Sequence, residues 1–209
     1  MRYRAVLFDL DGTLVDDFPA YAQIMKKTLS KFKIKATVKD LRRTFPMSLG
    51  AALNCLNVSA SQQMPFETEY LDQKAQLHVK PALFSGIIPM FNRLESTLLP
   101  ALGIVTSGGN REIQALNRNF EFMKNVWVAV TADTLPERKP APEPLITAVD
   151  QMGIPANQAL YVGDAVTDME AANNAKMDFG IAGWGADPKV HFSNFRYRFQ
   201  RPQDILKLL

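Results

Sequence analysis

Two aspartates, Asp9 and Asp11, stand one residue apart near the start of the chain, in the segment Val6-Leu7-Phe8-Asp9-Leu10-Asp11-Gly12-Thr13. The apolar run before them predicts a buried strand, because short apolar runs that end in a glycine turn are typical of strands. A carboxylate at the end of such a strand is costly to desolvate unless a cation or hydrogen bonds compensate it. With a metal ion as partner, the pair can do chemistry at the carboxyl end of the strand, where open α/β sheets bind ligands. Taken alone, Asp and Gly are also ordinary turn residues.

A second polar segment, Thr106-Ser107-Gly108-Gly109, closes the next predicted strand and precedes a predicted helix. Backbone N–H groups in such a turn, together with a helix N-terminus, can bind the oxygen atoms of a phosphate group. The alternative is structural, since Ser107 or Asn110 would also serve as a helix cap. The segment therefore indicates either an anion site or an ordinary helix start.

Lys139 lies in a proline-rich segment, Lys139-Pro140-Ala141-Pro142-Glu143-Pro144, that enters another predicted helix. Three prolines restrict the backbone and so fix the direction of the segment. A lysine in such a loop is ordinarily an exposed surface residue. If carboxylates lie nearby, a lysine held in place balances their charge instead.

Two further aspartates, Asp164 and Asp168, follow another predicted strand. One helical turn separates them, so both side chains can face the same space. With Asp9 and Asp11 they would gather four carboxylates at one edge of a sheet, and these repel one another unless cations intervene. Oxygen ligands in an open, hydrated site favour Mg²⁺, which we expect as the cofactor.

The elements that must position these residues alternate between strands and helices along the chain. The predicted strands after the first are Leu102–Thr106, Val126–Thr131, Leu160–Val162 and Phe179–Ala182, and predicted helices include Arg111–Asn119, Glu143–Met152 and Thr167–Ala175. Alternation of this kind predicts βαβ units and a parallel sheet with helices on both faces. The expected fold class is therefore α/β, with a Rossmann-like doubly wound core.

Residues 16–85 differ from this pattern, because they contain helical periods and no convincing strand. One helical stripe carries Tyr21, Ile24, Met25, Thr28, Leu29 and Phe32. We predict a helical cap domain at 16–85, inserted into a core domain that consists of 1–15 and 86–209.

The net charge of +3 is unevenly spread, since eight basic residues and one acidic residue lie between Lys26 and Arg43. This excess is either a solvated helix face or a positive wall that attracts an anionic substrate. Nucleic acid is not expected as a partner, because the run lacks interleaved aromatic residues apart from Phe32.

The cysteine content and the lack of long apolar segments indicate where in the cell the protein is expected. Cys55 is the single cysteine, so no internal disulfide can form, as is usual in a reducing cytoplasm. No segment approaches the ~20 apolar residues of a membrane span, and the start of the chain lacks a signal-peptide pattern. We expect a cytoplasmic protein without a membrane partner; monomer and dimer both stay open.

Four motifs in this order resemble those of the haloacid dehalogenase (HAD) superfamily, in its phosphatase branch with a helical cap after the first strand. They are Asp9-Leu10-Asp11-Gly12-Thr13, then Thr106-Ser107, then Lys139-Pro140, then Gly163-Asp164 with Asp168. The chain is most similar to the phosphoglycolate phosphatase and β-phosphoglucomutase-like subgroup. The second Asp and the acidic segment around Asp164 disfavour a dehalogenase.

The resemblance implies a role for each motif residue. Asp9 would be the nucleophile that forms an aspartyl phosphate, and Asp11 the acid and base. Thr106 and Lys139 would hold the phosphoryl oxygens. The backbone N–H groups of Ser107 and Gly108 would assist them.

The resemblance also implies a metal site and a substrate-selecting loop. Mg²⁺ would bind the Asp9 carboxylate, the Asp11 backbone carbonyl and the Asp164 carboxylate. Asp168 would bind it directly or through water. In capped members a cap loop reaches over the site, and Arg42 or Arg43 would there contact a second anionic group of the substrate; helix-surface arginines are the ordinary alternative.

The function expected from these residues is hydrolysis of a small phosphorylated metabolite by a Mg²⁺-dependent phosphatase. A phosphosugar mutase is one alternative, since it would use the same nucleophile and return the phosphoryl group to a second hydroxyl. A non-catalytic HAD-like binding module is the other. Such modules usually lack the nucleophile or a metal-binding Asp, and all are present here.

Overall fold

A six-stranded parallel sheet forms the framework of the larger part of the molecule. The computed structural model describes residues 3–45, 47, 49–76, 81–96 and 101–208. The strands are β1 (Ala5–Phe8), β2 (Ala101–Val105), β3 (Val126–Val130), β4 (Ala159–Gly163), β5 (Asp178–Ala182) and β6 (Tyr197–Phe199). Their order is β3-β2-β1-β4-β5-β6, and every neighbouring pair is parallel. The carboxyl ends of all strands therefore lie along one edge.

Eight α-helices occur in the described residues. They are α1 (Phe18–Lys31), α2 (Val38–Thr44), α3 (Leu49–Cys55), α4 (Ala60–Gln76), α5 (Ile87–Glu95), α6 (Asn110–Asn119), α7 (Glu143–Met152) and α8 (Val166–Asn174). Short 3₁₀ helices occupy Glu121–Asn125, Ala156–Gln158 and Pro202–Leu208. None of the described helices combines the length and the apolar character that a bilayer span requires.

The chain forms two compact units, one of Met1–Asp16 with Pro81–Leu209 and one of Asp17–Lys80. Backbone hydrogen bonds join the chain segments at the division, because Asp16 N–H donates to Ala82 O at 2.7 Å and Phe84 N–H to Leu14 O at 3.1 Å. The sheet unit therefore extends to Asp16 and resumes at Pro81, whereas the sequence predicted boundaries at 15/16 and 85/86. The shorter unit contains helices α1 to α4.

Apolar side chains cover both faces of the sheet, because successive residues of a strand point to opposite faces. In β1, Val6 and Phe8 pack into one cluster with Phe91, whereas Ala5 and Leu7 pack into the other. Both clusters are built from buried residues. The prediction of an α/β, Rossmann-like doubly wound core is thus confirmed.

The helical unit has a core of its own. The predicted stripe on α1 points inward, and Met25, Thr28 and Leu29 are fully or almost fully buried. Met25 and Leu29 pack in a cluster that includes Leu41 and Phe66.

One strand was missed. The edge strand β6 has three residues, which is too few for an alternating pattern to show in the sequence.

Candidate active site

The carboxyl edge of the sheet collects the predicted residues of the larger unit. Asp9 directly follows β1, Thr106 follows β2 and Asp164 follows β4, three adjacent strands. Asp9 N–H still donates to Val162 O at 2.8 Å, so the backbone of this carboxylate is held by the sheet. The pattern of parallel strands therefore brings together groups that are far apart in the sequence.

Lys139 ties two of these carboxylates together. Its Nζ lies 2.5 Å from Asp9 Oδ1 and 2.6 Å from Asp168 Oδ1. All three side chains are at most 9% exposed. Lys139 is thus a buried counter-charge, and its interpretation as an ordinary surface lysine is wrong.

Burial and mutual repulsion determine the acidity of the cluster. Burial, together with Asp168, raises the pKa of Asp9 well above its ordinary value, although Lys139 opposes the shift. Burial and Asp168 also raise the pKa of Asp164, to about 6. Burial alone would lower the pKa of Lys139, but Asp9 and Asp168 outweigh it and raise that pKa. The lysine therefore stays charged, but its single positive charge does not balance the three carboxylates of Asp9, Asp164 and Asp168.

Three carboxylates lie close enough together to hold a metal ion. One oxygen each of Asp9, Asp164 and Asp168 lie within 4.8 Å of one another. Thr13 Oγ1 donates to Asp164 Oδ1 at 3.0 Å and fixes the orientation of that carboxylate. Gly12 has φ +82°, and the Asp164 carboxylate fills the space that a Cβ there would occupy. A hard cation such as Mg²⁺ fits this donor set and would relieve its repulsion.

Asp11 differs from the other three aspartates. Its side chain is exposed, and it is not part of the carboxylate cluster formed by Asp9, Asp164 and Asp168. The Gly12 N–H next to it donates to Val15 O at 2.9 Å, which closes the turn that carries Asp11. An exposed carboxyl at a ligand-binding edge can exchange protons with water and with a bound substrate.

The segment after β2 folds into a compact turn. Thr106 is buried, and its Oγ1 accepts a hydrogen bond from Gly108 N–H at 2.9 Å. Ser107 is exposed at the tip of the turn. Neither Ser107 nor Asn110 caps α6: Gly109 holds the cap position, and Asp133 Oδ2 accepts from Asn110 N–H at 2.7 Å. No sequence pattern pointed to Asp133, because this carboxylate comes from the loop after β3.

Arg42 and Arg43 lie in the helical unit, on α2, and both are exposed. The Arg42 guanidinium carbon lies 4.1 Å from the centre of the Phe18 ring, a cation–π contact. Arg43 forms an exposed ion pair with Asp40 at 3.3 Å. The two arginines therefore have different surroundings, which the sequence did not reveal.

The sequence matches one known protein family over most of its length. Residues 6–182 match the family model "Haloacid dehalogenase-like hydrolase". The chain belongs to this family. It is a hydrolase of the phosphatase class, as its relatives show.

Two curated relatives of this HAD hydrolase carry phosphatase names. A phosphoglycolate phosphatase of Xanthomonas campestris is 35% identical over 190 residues, which cover 88% of this chain and 86% of the relative. An N-acetylmuramic acid 6-phosphate phosphatase of Pseudomonas aeruginosa is 29% identical over 204 residues, 90% of each chain.

Solved structures share the fold over the whole length. A Lactobacillus plantarum protein with the provisional name phosphoglycolate phosphatase is 37% identical, with a TM-score of 0.76 and coverage of 100% of both chains. The resemblance to the HAD superfamily and to its phosphoglycolate phosphatase and β-phosphoglucomutase-like subgroup is thereby confirmed.

Two residues of the HAD site were missed by sequence reasoning. Thr13 was noted as part of the first motif, but its hydrogen bond to Asp164 was not foreseen. Tyr161 was assigned to a buried strand, yet its hydroxyl lies 2.9 Å from Lys139 Nζ. A signal was available for Tyr161, since a buried tyrosine usually needs a partner for its hydroxyl.

Proposed function

We propose that the protein is a Mg²⁺-dependent phosphatase that hydrolyses a small phosphorylated metabolite through an aspartyl phosphate on Asp9. The observation that carries the proposal is the cluster of Asp9, Lys139, Asp164 and Asp168 at the carboxyl edge of the sheet. It joins a nucleophile, a fixed cation and a set of metal ligands. The phosphatase names of the curated relatives support the same reaction class.

In the first step an Asp9 carboxylate oxygen attacks phosphorus. A bond forms between that oxygen and phosphorus, and the bond from phosphorus to the substrate oxygen breaks. Asp11 gives its proton to the departing oxygen, which leaves as an alcohol. Covalent catalysis of this kind splits one difficult displacement into two easier ones.

In the second step water attacks the phosphorus of the aspartyl phosphate. Asp11, now ionised, takes a proton from that water, and the bond between phosphorus and Asp9 breaks. Inorganic phosphate leaves, and both aspartates regain their starting states. Thr106 and Lys139 would hold the phosphoryl oxygens in both steps, with the N–H groups of Ser107 and Gly108, because phosphoryl transfer depends on positioning and charge stabilisation.

The Mg²⁺ ion would be held by the carboxylates of Asp9 and Asp164, by the Asp11 backbone carbonyl, and by Asp168 directly or through water. When bound, it would neutralise negative charge on the transferred group. Asp168 belongs to the carboxylate cluster, but both of its oxygens already accept hydrogen bonds. Oδ1 accepts from Lys139, and Oδ2 accepts from Ala165 N–H at 3.0 Å.

Mg²⁺ binding can be tested without a substrate, through the thermal stability of the protein. Saturating Mg²⁺ is expected to raise the thermal unfolding midpoint of the wild type by about 5–10 °C, because a ligand of the folded state stabilises that state. Asp164→Asn is expected to lose most of this shift and to be more stable than the wild type without metal, since one partly buried repelling charge is gone. Asp133→Asn, at the same edge but outside the cluster, should keep the shift. An undiminished shift in Asp164→Asn contradicts the assigned ligands.

We propose substrates related to phosphoglycolate, which carry a second anionic group. The helical unit would act as the cap that selects them through Arg42 and Arg43, which are exposed on α2. The single cysteine accords with a cytoplasmic location, which we include in the proposal.

The arginines are tested by comparing two substrates. Arg42→Ala or Arg43→Ala is expected to raise KM for phosphoglycolate about fivefold, because an exposed charge contact is weak. KM for p-nitrophenyl phosphate, which lacks the second anionic group, should not change. Lys39→Ala, another exposed cation on α2, serves as the control. If both arginine variants keep the wild-type ratio of the two KM values, the arginines do not select substrate.

The test of the proposed function is a phosphate-release screen of the purified protein with Mg²⁺ across a few dozen phosphorylated metabolites. The proposal expects release from at least one small phosphomonoester. Interconversion of sugar 1-phosphate and 6-phosphate without net phosphate release would identify a mutase instead. A folded wild type that acts on none of the metabolites nor on p-nitrophenyl phosphate would contradict the proposal and favour a non-catalytic binding module.

A further inference from the structure

Tyr161 places a fully buried hydroxyl beneath the cluster of Asp9, Lys139 and Asp168. The residue lies in the central strand β4, and its side chain is inaccessible to solvent. Its Oη lies 2.9 Å from Lys139 Nζ and 2.9 Å from Val105 O, the last carbonyl of β2. One side chain thus connects the lysine to the strand end that precedes Thr106.

The hydrogen bonds of Lys139 explain why this contact matters. A lysine ammonium has three donors and no acceptor. In Lys139 they are directed to Asp9 Oδ1, Asp168 Oδ1 and Tyr161 Oη, at 2.5, 2.6 and 2.9 Å. Two acceptors are charged and the third is neutral. The tyrosine completes the set without neutralising more of the positive charge.

The single proton of the hydroxyl fixes the direction of the bonds. Val105 O lies 2.9 Å from Tyr161 Oη, whereas Asp168 Oδ1 lies at 3.3 Å. The shorter bond takes the proton, so the oxygen lone pairs face the lysine.

We propose that Tyr161 is a positioning residue that anchors Lys139 to the end of β2, so that the ammonium stays directed at Asp9 throughout the reaction. The role rests on the proposed function, in which Lys139 holds the phosphoryl group. When an N–H group of Lys139 turns from a carboxylate to a phosphoryl oxygen, the bond to Tyr161 Oη keeps the nitrogen in place. Without it, the ammonium is free to follow Asp168 alone.

The variant Tyr161→Phe keeps the ring and removes only the hydroxyl. It is expected to lower kcat about 30-fold, because a hydrogen bond to a charged group is lost where positioning counts. KM should stay unchanged, as for an interaction that matters in the transition state. The matched control is Tyr3→Phe, which removes another hydroxyl of a buried tyrosine in the same sheet unit, one that donates to Asp178 Oδ2 at 2.5 Å. This control should lose stability but keep kcat.

A second variant tests the same role in case Tyr161→Phe does not fold. Incorporation of 3-fluorotyrosine at position 161 keeps the hydroxyl and the fold but makes the oxygen a weaker acceptor. A smaller reduction of kcat, again without a change in KM, is expected. Urea unfolding of each variant reports its folded fraction, and kcat is scaled to that fraction.

The outcomes separate this inference from the function on which it rests. A folded wild type that releases no phosphate would overturn both. If the wild type is active and Tyr161→Phe matches Tyr3→Phe in kcat, the positioning role alone is overturned. A loss confined to KM would also overturn it. If Tyr161→Phe does not fold, a fluorotyrosine protein with wild-type kcat overturns the positioning role in its place.

Discussion

Asp9→Asn is expected to lower kcat for p-nitrophenyl phosphate by at least about a thousandfold, since the neutral amide cannot replace the carboxylate as the nucleophile that attacks phosphorus. The side chain keeps its size, and the backbone at position 9 stays bound to the sheet through Val162 O. The fold should therefore persist. Steady-state release of nitrophenolate, measured with Mg²⁺, gives the activity.

Stability distinguishes the loss of a nucleophile from the loss of the fold. Asn removes a buried negative charge: burial and the repulsion from Asp168 and Asp164 raise the pKa of Asp9, and they outweigh the attraction of Lys139, which keeps Asp168 as a partner in the variant. The unfolding midpoint of Asp9→Asn without metal should be no lower than that of the wild type. Asp150→Asn, an exposed carboxylate on α7, should keep full activity. Activity of Asp9→Asn close to that of the wild type would exclude Asp9 as the nucleophile.

Lys139→Met is expected to destabilise the protein by about 3–5 kcal/mol, as measured by urea unfolding. The lysine side chain is 5% exposed, and its removal leaves two buried carboxylates, Asp9 and Asp168, without their counter-charge. Met retains most of the aliphatic volume, so the effect reports the charge rather than a cavity. Activity should fall as well, because the other side chains of the cluster, those of Asp9, Asp164 and Asp168, are carboxylates and cannot replace the positive charge of Lys139.

A surface ion pair provides the control for this experiment. Lys124 pairs with Glu121 at 2.9 Å, but the two side chains are 74% and 91% exposed. Lys124→Met should change the free energy of unfolding by less than about 1 kcal/mol, because water screens exposed pairs. If Lys139→Met and Lys124→Met cost the same, the buried cluster does not hold Lys139 as described.

The sequence predicted that Asp9, Thr106 and Asp164 lie at one edge of the sheet, because backbone topology alone brings them there. Each of these residues directly follows a strand, and parallel strands present their carboxyl ends at one edge. Periodicity also located the helices well: α7 has the predicted bounds, α6 begins one residue earlier than predicted, and α8 begins and ends one residue earlier. These features depend on local pattern, which a single sequence carries.

Side-chain contacts between distant segments could not be predicted from local sequence pattern. Tyr161 on β4 reaches Val105 on β2, past the intervening strand β1, and it also reaches Lys139; the choice of these partners depends on packing in three dimensions. Asp133 caps α6 from a different loop. Phe18 lies under Arg42 although 24 positions separate them in the chain. No pattern of residue types within one segment specifies such pairs.

The central claim is that a phosphoryl group is transferred to Asp9, and the variant Asp11→Asn can trap it. p-Nitrophenolate leaves without a proton, so this variant should still form the aspartyl phosphate but hydrolyse it slowly, for want of a base. Rapid acid quenching, followed by digestion with pepsin at low pH and tandem mass spectrometry of the peptide that contains Asp9, measures the product directly. The account predicts one added phosphoryl group, located on Asp9 and absent in Asp9→Asn. Nitrophenolate release with no phosphorylated peptide, or with the phosphoryl group on another residue, would contradict it.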